Sequence, residues 1–259
     1  MTTRRALIAA MLLAACAAAP AQAERLVVSL SNHRVAVTSS FTGEDLVLFG
    51  TIEPDRPQTA LRNAYDLIVT VTGPRQTLRT RRKDRVLGIW VNVDSREFVR
   101  VPSYLGVLSN RPVTAITNAD MARRMQLGLG NFLLPQRIGP DTADTVRDDP
   151  FRVAFVNLDT QYGLYRESTT AVTFLTPTVF RVAIPMPANA PTGSYNIDVQ
   201  LFAGGAPVAR TNSALEVIKA GFEQFVADAA RDHGLLYGLF ASLMALAIGW
   251  FGSVVFRRD

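Results

Sequence analysis

The 259-residue sequence predicts a mainly β fold: an immunoglobulin-like antiparallel β-sandwich with a helical insertion, followed by a juxtamembrane helix and a C-terminal transmembrane helix. Three observations carry this expectation. Apolar residues alternate with period two from Glu24 to about Val101 and again from Phe151, the pattern of half-buried strands. Turn signals such as Thr42-Gly43, Glu53-Pro54 and Gly73-Pro74 separate the runs, with no helical stretch between them. The chain then closes on 23 uncharged residues, Gly234–Phe256.

Composition sets the frame. Only 19% of residues are charged and 48% are hydrophobic, and mean hydropathy is +0.15. A soluble domain usually carries about 25% charge, so part of the chain is suited to lipid. Disordered, collagen-like and disulfide-rich classes are excluded by the same numbers.

Taken in order, residues 1–23 read as an export signal peptide. Arg4 and Arg5 precede the apolar run Ala6–Ala19, and Ala21-Gln22-Ala23 fits small-x-small cleavage. Leu13-Ala14-Ala15-Cys16 also fits a lipobox, which would make Cys16 an acylated N-terminus. Cys16 is the single cysteine, so cleavage after Ala23 leaves a domain without thiol chemistry.

The exported domain is expected over 24–216. Runs at 26–30, 34–38, 45–52 and 66–72 have strand character, and Val86–Val93 alternates with Trp90 opposite an aliphatic face. That placement favours Trp90 as a core residue, with an exposed partner anchor as the alternative. The helical insertion falls at about 104–149. Thr117-Asn118-Ala119-Asp120 resembles a capping box, and Met121, Met125 and Leu129 recur at helical spacing, predicting one helix of roughly 12–15 residues. Pro135–Pro150 reads as an exposed loop. Phe151, Val153 and Phe155 then share one face of a strand, as do Phe180, Val182 and Ile184. Pro191-Thr192-Gly193-Ser194 turns the chain into a strand with Tyr195, Ile197, Val199 and Leu201 on one face. A Tyr delivered there by a turn resembles the corner of immunoglobulin-like sandwiches. Gly204-Gly205 makes a tight hairpin into 206–217.

Residues 217–233 are expected to form a juxtamembrane helix, with Ile218, Phe222, Phe225 and Ala229 as its stripe. Residues 234–256 would span about 34 Å as a helix, enough for a roughly 30 Å hydrocarbon core. Arg257 and Arg258 follow, which by the positive-inside rule puts 257–259 in the cytoplasm and the domain outside. The anchor therefore implies a lipid bilayer as one partner and the inner membrane as the address.

The sequence pI near 9.8 suggests nucleic acid. Of 27 basic and 22 acidic residues, Arg4, Arg5, Arg257, Arg258 and Asp259 lie in the ends, leaving 23 and 21 in 24–233. A near-neutral exported domain gives no reason to expect a nucleic-acid partner.

No catalytic motif, cofactor fingerprint or zinc pattern is present, so the expectation is a protein that is not an enzyme and uses no cofactor. Asp141, Asp144, Asp148 and Asp149 cluster without EF-hand spacing and read as a solvated loop rather than a metal site. Acidic pairs meeting in space would leave a carboxylate-dependent hydrolase as a third reading. The strongest surface feature is a basic run. On a strand, Arg79, Arg81, Lys83 and Arg85 point one way, able to hold a small oxyanion or anionic headgroups, or to guard a sheet edge. In the final span, Gly238, Ala241, Ser242, Ala245 and Gly249 would permit close helix packing.

The pattern as a whole resembles a family of predicted alphaproteobacterial transmembrane proteins of unknown function. The likeness rests on Gly43-Glu44-Asp45-Leu46-Val47-Leu48-Phe49-Gly50, Gly88-Ile89-Trp90-Val91-Asn92, Pro102-Ser103-Tyr104 and Ser109-Asn110-Arg111-Pro112. It continues in Tyr162-Gly163-Leu164-Tyr165, Ala190-Pro191-Thr192-Gly193-Ser194-Tyr195, Gly221-Phe222-Glu223-Gln224 and Tyr237-Gly238. The resemblance implies an accessory role beside TauE/SafE-like sulfite-exporter permeases, which are often encoded next to such proteins. Partner contacts are then expected at Trp90, Phe222, Phe225, Gly238, Ser242 and Gly249, with Arg79, Arg81, Lys83 and Arg85 as the candidate anion site.

Overall fold

The computed structural model of the chain describes residues 24–38, 41–53, 65–138, 141–221, 226 and 229–255. The expected signal peptide with Cys16, the stalk residues Phe222 and Phe225, and Arg257 and Arg258 lie outside the described residues.

The chain is mainly β, with antiparallel sheets and a C-terminal apolar helix. One sheet joins β1 (Arg25–Leu30), β3 (Gly43–Glu53), β12 (Val179–Pro187) and β11 (Val172–Phe174), in that order. A second has the order β10 (Tyr165–Ser168), β7 (Leu105–Ser109), β4 (Asp66–Thr72), β13 (Gly193–Ala203), β14 (Ala206–Lys219) and β2 (Arg34–Val37). Two edge pairs, β10 with β7 and β14 with β2, are parallel. A third sheet holds β5 (Arg75–Val86), β6 (Ile89–Pro102), β8 (Pro135–Ile138) and β9 (Asp141–Asp144).

The first two sheets enclose the main core. Leu46, Leu48 and Ile52 of β3, with Phe180, Val182 and Ile184 of β12, share one buried cluster with Leu67, Val69 and Val71 of β4 and the Tyr195 face of β13. The period-two pattern read from these segments is the cause: each strand offers one continuous apolar face, and every buried Leu or Val adds about 1.5–3 kcal/mol. Gly50 is required here, since a Cβ would sit 2.3 Å from the Phe180 ring.

Helices cover the other face of the second sheet. Val113 and Ile116 of α1 (Val113–Ile116), Ala122 of α2 (Ala119–Arg124) and Leu127 pack on Ile68, Val107 and Phe202. Strand β4 is therefore buried on both sides. A third cluster joins Phe98, Val101, Leu105 and Tyr165 to Phe132, Leu134 and the α3 (Pro150–Gln161) residues Phe151 and Phe155. Phe155 stacks edge-on against Tyr165 at 5.7 Å.

Several expectations are corrected. Phe151, Val153 and Phe155 lie on a helix: Asp149 caps it by accepting from the Phe151 and Arg152 amides, and Pro150 is its first residue. Phe151 and Phe155 are buried one turn apart, while Val153 is 46% exposed. Helical spacing, four residues, is also a multiple of two, which is why the strand reading fitted. The helix expected from Thr117 is the six-residue α2, capped by Asn118 rather than Thr117, and Gln126 and Gly128 at positive φ prevent its extension. Pro135–Pro150 contains β8 and β9 rather than only loop, so helical segments fall at 113–131 and 150–161. Strand β14 runs to Lys219, placing Ile218 in the sheet rather than on a stalk helix. Val86–Val93 is the end of a hairpin and not one strand, with Leu87-Gly88 as its turn.

Candidate functional site

Strands β4 and β5 run on from one another, as do β6 and β7, so residues 66–109 form one long ribbon. Thr72 pairs with Leu105 and Arg75 with Pro102. Across the seam the Gly73 amide donates to the Tyr104 carbonyl at 2.9 Å and Ser103 to Pro74 at 3.0 Å. Leu78, Phe98 and Val101 of the outer ribbon pack against α3. Beyond them the ribbon's side chains face solvent: residues 81–93 are each exposed.

Its end is an apolar cap. Leu87 is 98% exposed, Ile89 69% and Trp90 68%, which corrects the core reading of Trp90. Leu87 and Gly88 have φ of +51° and +85°, so the turn has both central residues in the left-handed region. That two-residue turn suits the twist of a hairpin, and Asn-Gly is its natural occupant. A leucine costs backbone energy in this conformation, and here it gains no burial in return.

Behind the cap lies the basic run. Alternation along β5 does put Arg79, Arg81, Lys83 and Arg85 on one face, opposite Glu97, Ser95, Asn92 and Trp90. The four are not equivalent. Arg79 is bound to Glu97 at 3.1 Å, and Arg137 shares that carboxylate at 3.5 Å. Arg81, Arg82, Lys83 and Arg85 have no carboxylate partner among the described residues; Arg85 donates to the Gly88 carbonyl at 3.2 Å, bracing the turn. A cleft of about 480 Å³ between the ribbon and the start of α3 is lined by Arg82, Lys83, Arg96, Asp94, Asp149 and Phe151 among others. Arg96 lies 5.2 Å from the Phe151 ring centre.

Two of the four clustered aspartates, Asp144 and Asp149, serve local structure. Asp144 accepts from the Leu134 amide and lies 3.6 Å from Arg152, while Asp149 caps α3. Arg152 is buried, donating to Thr145 and Phe132, and burial pulls its guanidinium below its usual range. Among the described residues no three His, Cys, Asp or Glu side chains gather in a metal-binding group. The buried aspartates Asp66 and Asp198 are each matched by an arginine, Arg111 and Arg210. The segment Ser109-Asn110-Arg111-Pro112 runs on from the end of β7. Its polar groups close the start of β4: Asn110 donates to Asp66 at 2.9 Å and accepts from the Leu67 amide at 2.9 Å. No local spacing could reveal a bond between residues so far apart in the chain.

Helix α4 (Gly234–Val255) is the one candidate membrane span among the described residues, and none of its best apolar window is buried. Gly238, Ser242 and Gly249 fall on one face, and a Cβ at Gly238 or Gly249 would meet nothing within 4 Å. The Ser242 hydroxyl already donates to the Gly238 carbonyl at 2.8 Å. The route to this helix starts near the ribbon. Asn196 pairs with Thr72 and Gly193 with Val217, so the ribbon and the chain leading to α4 leave the second sheet at the same end.

No curated protein matches the chain. Among solved structures, the N-terminal domain of the Streptococcus gordonii adhesin Sgo0707 is similar at 6% identity and a TM-score of 0.29, over 75% of this chain and 32% of that one. The chain thus spans about a third of that structure, and a likeness at this score carries no argument. The family model described as "Putative transmembrane protein (Alph_Pro_TM)" matches residues 25–258, which suits the apolar helix α4, and the chain belongs to that family.

Proposed function

We propose that this protein is a non-enzymatic, membrane-anchored accessory protein: its β-sandwich lies in the periplasm, and α4 holds it against a multispanning inner-membrane permease. The permease would be of the TauE/SafE type that the family resemblance implies. The carrying observation is α4 itself, an uncharged helix with open small residues on one face and bulky ones such as Phe240 and Phe251 opposite. Such a face lets a second helix approach closely in lipid, where packing rather than the hydrophobic effect drives association. Ser242 bonds within its own helix, which keeps that face free of unpaired donors.

The sandwich is read as immunoglobulin-type. In support, β1-β3-β12-β11 repeats the A-B-E-D order and β4-β13-β14 the C-F-G order of that fold. The Tyr195 hydroxyl donates to the Pro191 carbonyl four residues upstream at 2.7 Å, as a tyrosine corner does. The fold assigns no function by itself, and the reading as a binding module rests on the anchor helix.

The test is a mild-detergent pull-down of the tagged full-length protein with mass spectrometry. A stoichiometric permease that is lost on combining Gly238→Leu, Ser242→Leu and Gly249→Leu is the expected result. Recovery of the protein alone overturns the reading. A second reading, a sensor or carrier of a small oxyanion, draws on the basic cleft beside α3. It requires anion-dependent thermal stabilisation that Arg81→Gln with Lys83→Gln removes.

A further inference from the structure

We infer that the end of the β5–β6 ribbon is a second membrane contact, in which Leu87, Ile89 and Trp90 enter the bilayer interface while Arg81, Arg82, Lys83 and Arg85 hold anionic lipid headgroups. The inference rests on α4 spanning a bilayer but not on any permease.

The first argument is the cost of the tip. A folded domain gains nothing from a leucine that is 98% exposed, and it loses backbone energy by holding that leucine at φ +51°. Asn or Gly would relieve the strain and remove the exposed apolar surface together. Strain kept in place at an exposed apolar tip points to use rather than to folding.

The second argument is the order of chemistry along the ribbon. Apolar residues occupy the last pair, Val86 with Ile89, and one side of the next, where Trp90 faces Arg85, so the cations begin one pair behind the turn. At about 3.4 Å per residue, Lys83 and Arg81 sit roughly 14–20 Å behind the turn, and long cationic side chains can reach back toward it. Apolar groups at the tip and Lys or Arg behind match a bilayer, whose acyl region lies under a phosphate layer. Trp is the aromatic residue suited to that boundary. An edge-guarding role accounts for the arginines and leaves the cap unexplained.

The third argument is placement. The ribbon leaves the sandwich at the end from which the chain proceeds to α4, so the anchor keeps lipid on the side where the tip emerges. The apolar surface surrounds a narrow ribbon end, with Ile89 on one face and Trp90 on the other. A fluid interface accommodates such a shape from all sides, whereas a protein partner would need an enclosing socket. The unmatched cations also suit an anionic occupant, which headgroups supply without a specific pairing.

The experiment uses the full-length chain with Trp250→Phe, which leaves Trp90 as the only tryptophan. The protein is reconstituted in vesicles of phosphatidylcholine, with or without phosphatidylglycerol, carrying acyl chains brominated near the headgroup. The expected result is blue-shifted Trp90 emission, quenched about two-fold or more, and more strongly with phosphatidylglycerol. Leu87→Asn, which suits the turn, should keep or raise the melting temperature while abolishing the quenching. Each of Arg81→Gln and Lys83→Gln should lower the ratio of docked to free tip about five-fold in anionic vesicles. Water-like, unquenched Trp90 in both lipid compositions overturns the inference, as does quenching that survives Leu87→Asn. Protection seen in native membranes but not in lipid-only vesicles assigns the tip to a protein and also overturns it. Because these vesicles hold no permease, failure of the permease reading leaves this test unaffected.

Discussion

Between Asp66 and Ser109 one ribbon meets two opposite environments. In its near half, Leu67, Ile68, Val69 and Val71 have no exposed surface, because the sandwich core lies on one side and the α1–α2 helices on the other. In its far half, 13 consecutive residues, 81–93, are all exposed. Both halves are antiparallel ladders, so hydrogen-bonded pairing alone does not decide where a strand is stable. An isolated two-stranded hairpin is marginal in water. The far half persists because Leu78 and Phe98 are clamped by α3 at its base. The near half is built to keep its shape, and the far half is held out at the cost of its own stability.

The comparison can be broken most severely at the clamp. Phe98 is fully buried and stacks on Phe155 at 4.8 Å, so Phe98→Ala should cost about 3–5 kcal/mol in chemical denaturation. It should also raise amide exchange throughout 81–93. Arg152→Met comes next: it leaves the Phe132 and Thr145 carbonyls without their donor and should cost about 2–3 kcal/mol, read by the same denaturation curve. Tyr165→Phe touches the seam, where the phenol donates to the Pro102 carbonyl at 2.8 Å and burial keeps it protonated well beyond its usual range. A loss of about 1–2 kcal/mol is expected.

A smaller effect depends on pH. Burial raises the Asp159 carboxyl on α3 from 3.8 to about 6. The folded state therefore binds the proton more tightly than the unfolded chain. The associated stability is present below about pH 4 and is lost as pH rises through about 6. Asp159→Asn should flatten that part of the stability profile and gain about 1 kcal/mol at pH 7, measured by denaturant midpoints across pH 3–8. Smallest, and opposite in sign to the clamp variants, is Leu87→Asn. It should raise stability by about 0.5–1 kcal/mol in a thermal melt, sharpening the view of the far half as a region not optimised for folding.

Legibility in the sequence followed the same division. Strands with one buried face, such as β3, β12 and β13, were readable because alternation and burial coincide there. Strand β4 was readable as a strand but not as one covered on both faces, since the helices that cover it come from 113–127. Helix α3 was missed although Asp149-Pro150 is a strong start signal, because Phe151-Arg152-Val153-Ala154-Phe155 satisfies both periods. The basic run was visible, but its partial neutralisation depended on Glu97, far along the chain. The turn at Leu87-Gly88 was hidden because leucine is not a turn residue. The feature that obscured it in the sequence is the one that marks it in the structure.

The two register shifts in the ribbon have a further consequence. Both insert an extra residue into β6 and none into β5, one between the partners of Gln76 and Leu78, the other between those of Arg82 and Lys83. Each insertion slips the odd–even count of one strand against the other. Before the second slip the cationic face of β5 looks across at odd-numbered residues, Glu97 and Ser95; after it, at even ones, Asn92 and Trp90. The indole thus arrives on the arginine side by parity alone. Deleting the single residue Val93 would restore a regular ladder and leave Trp90 opposite Arg85, so the unpaired residue is a spacer that lets a register counted from the turn meet one counted from the core.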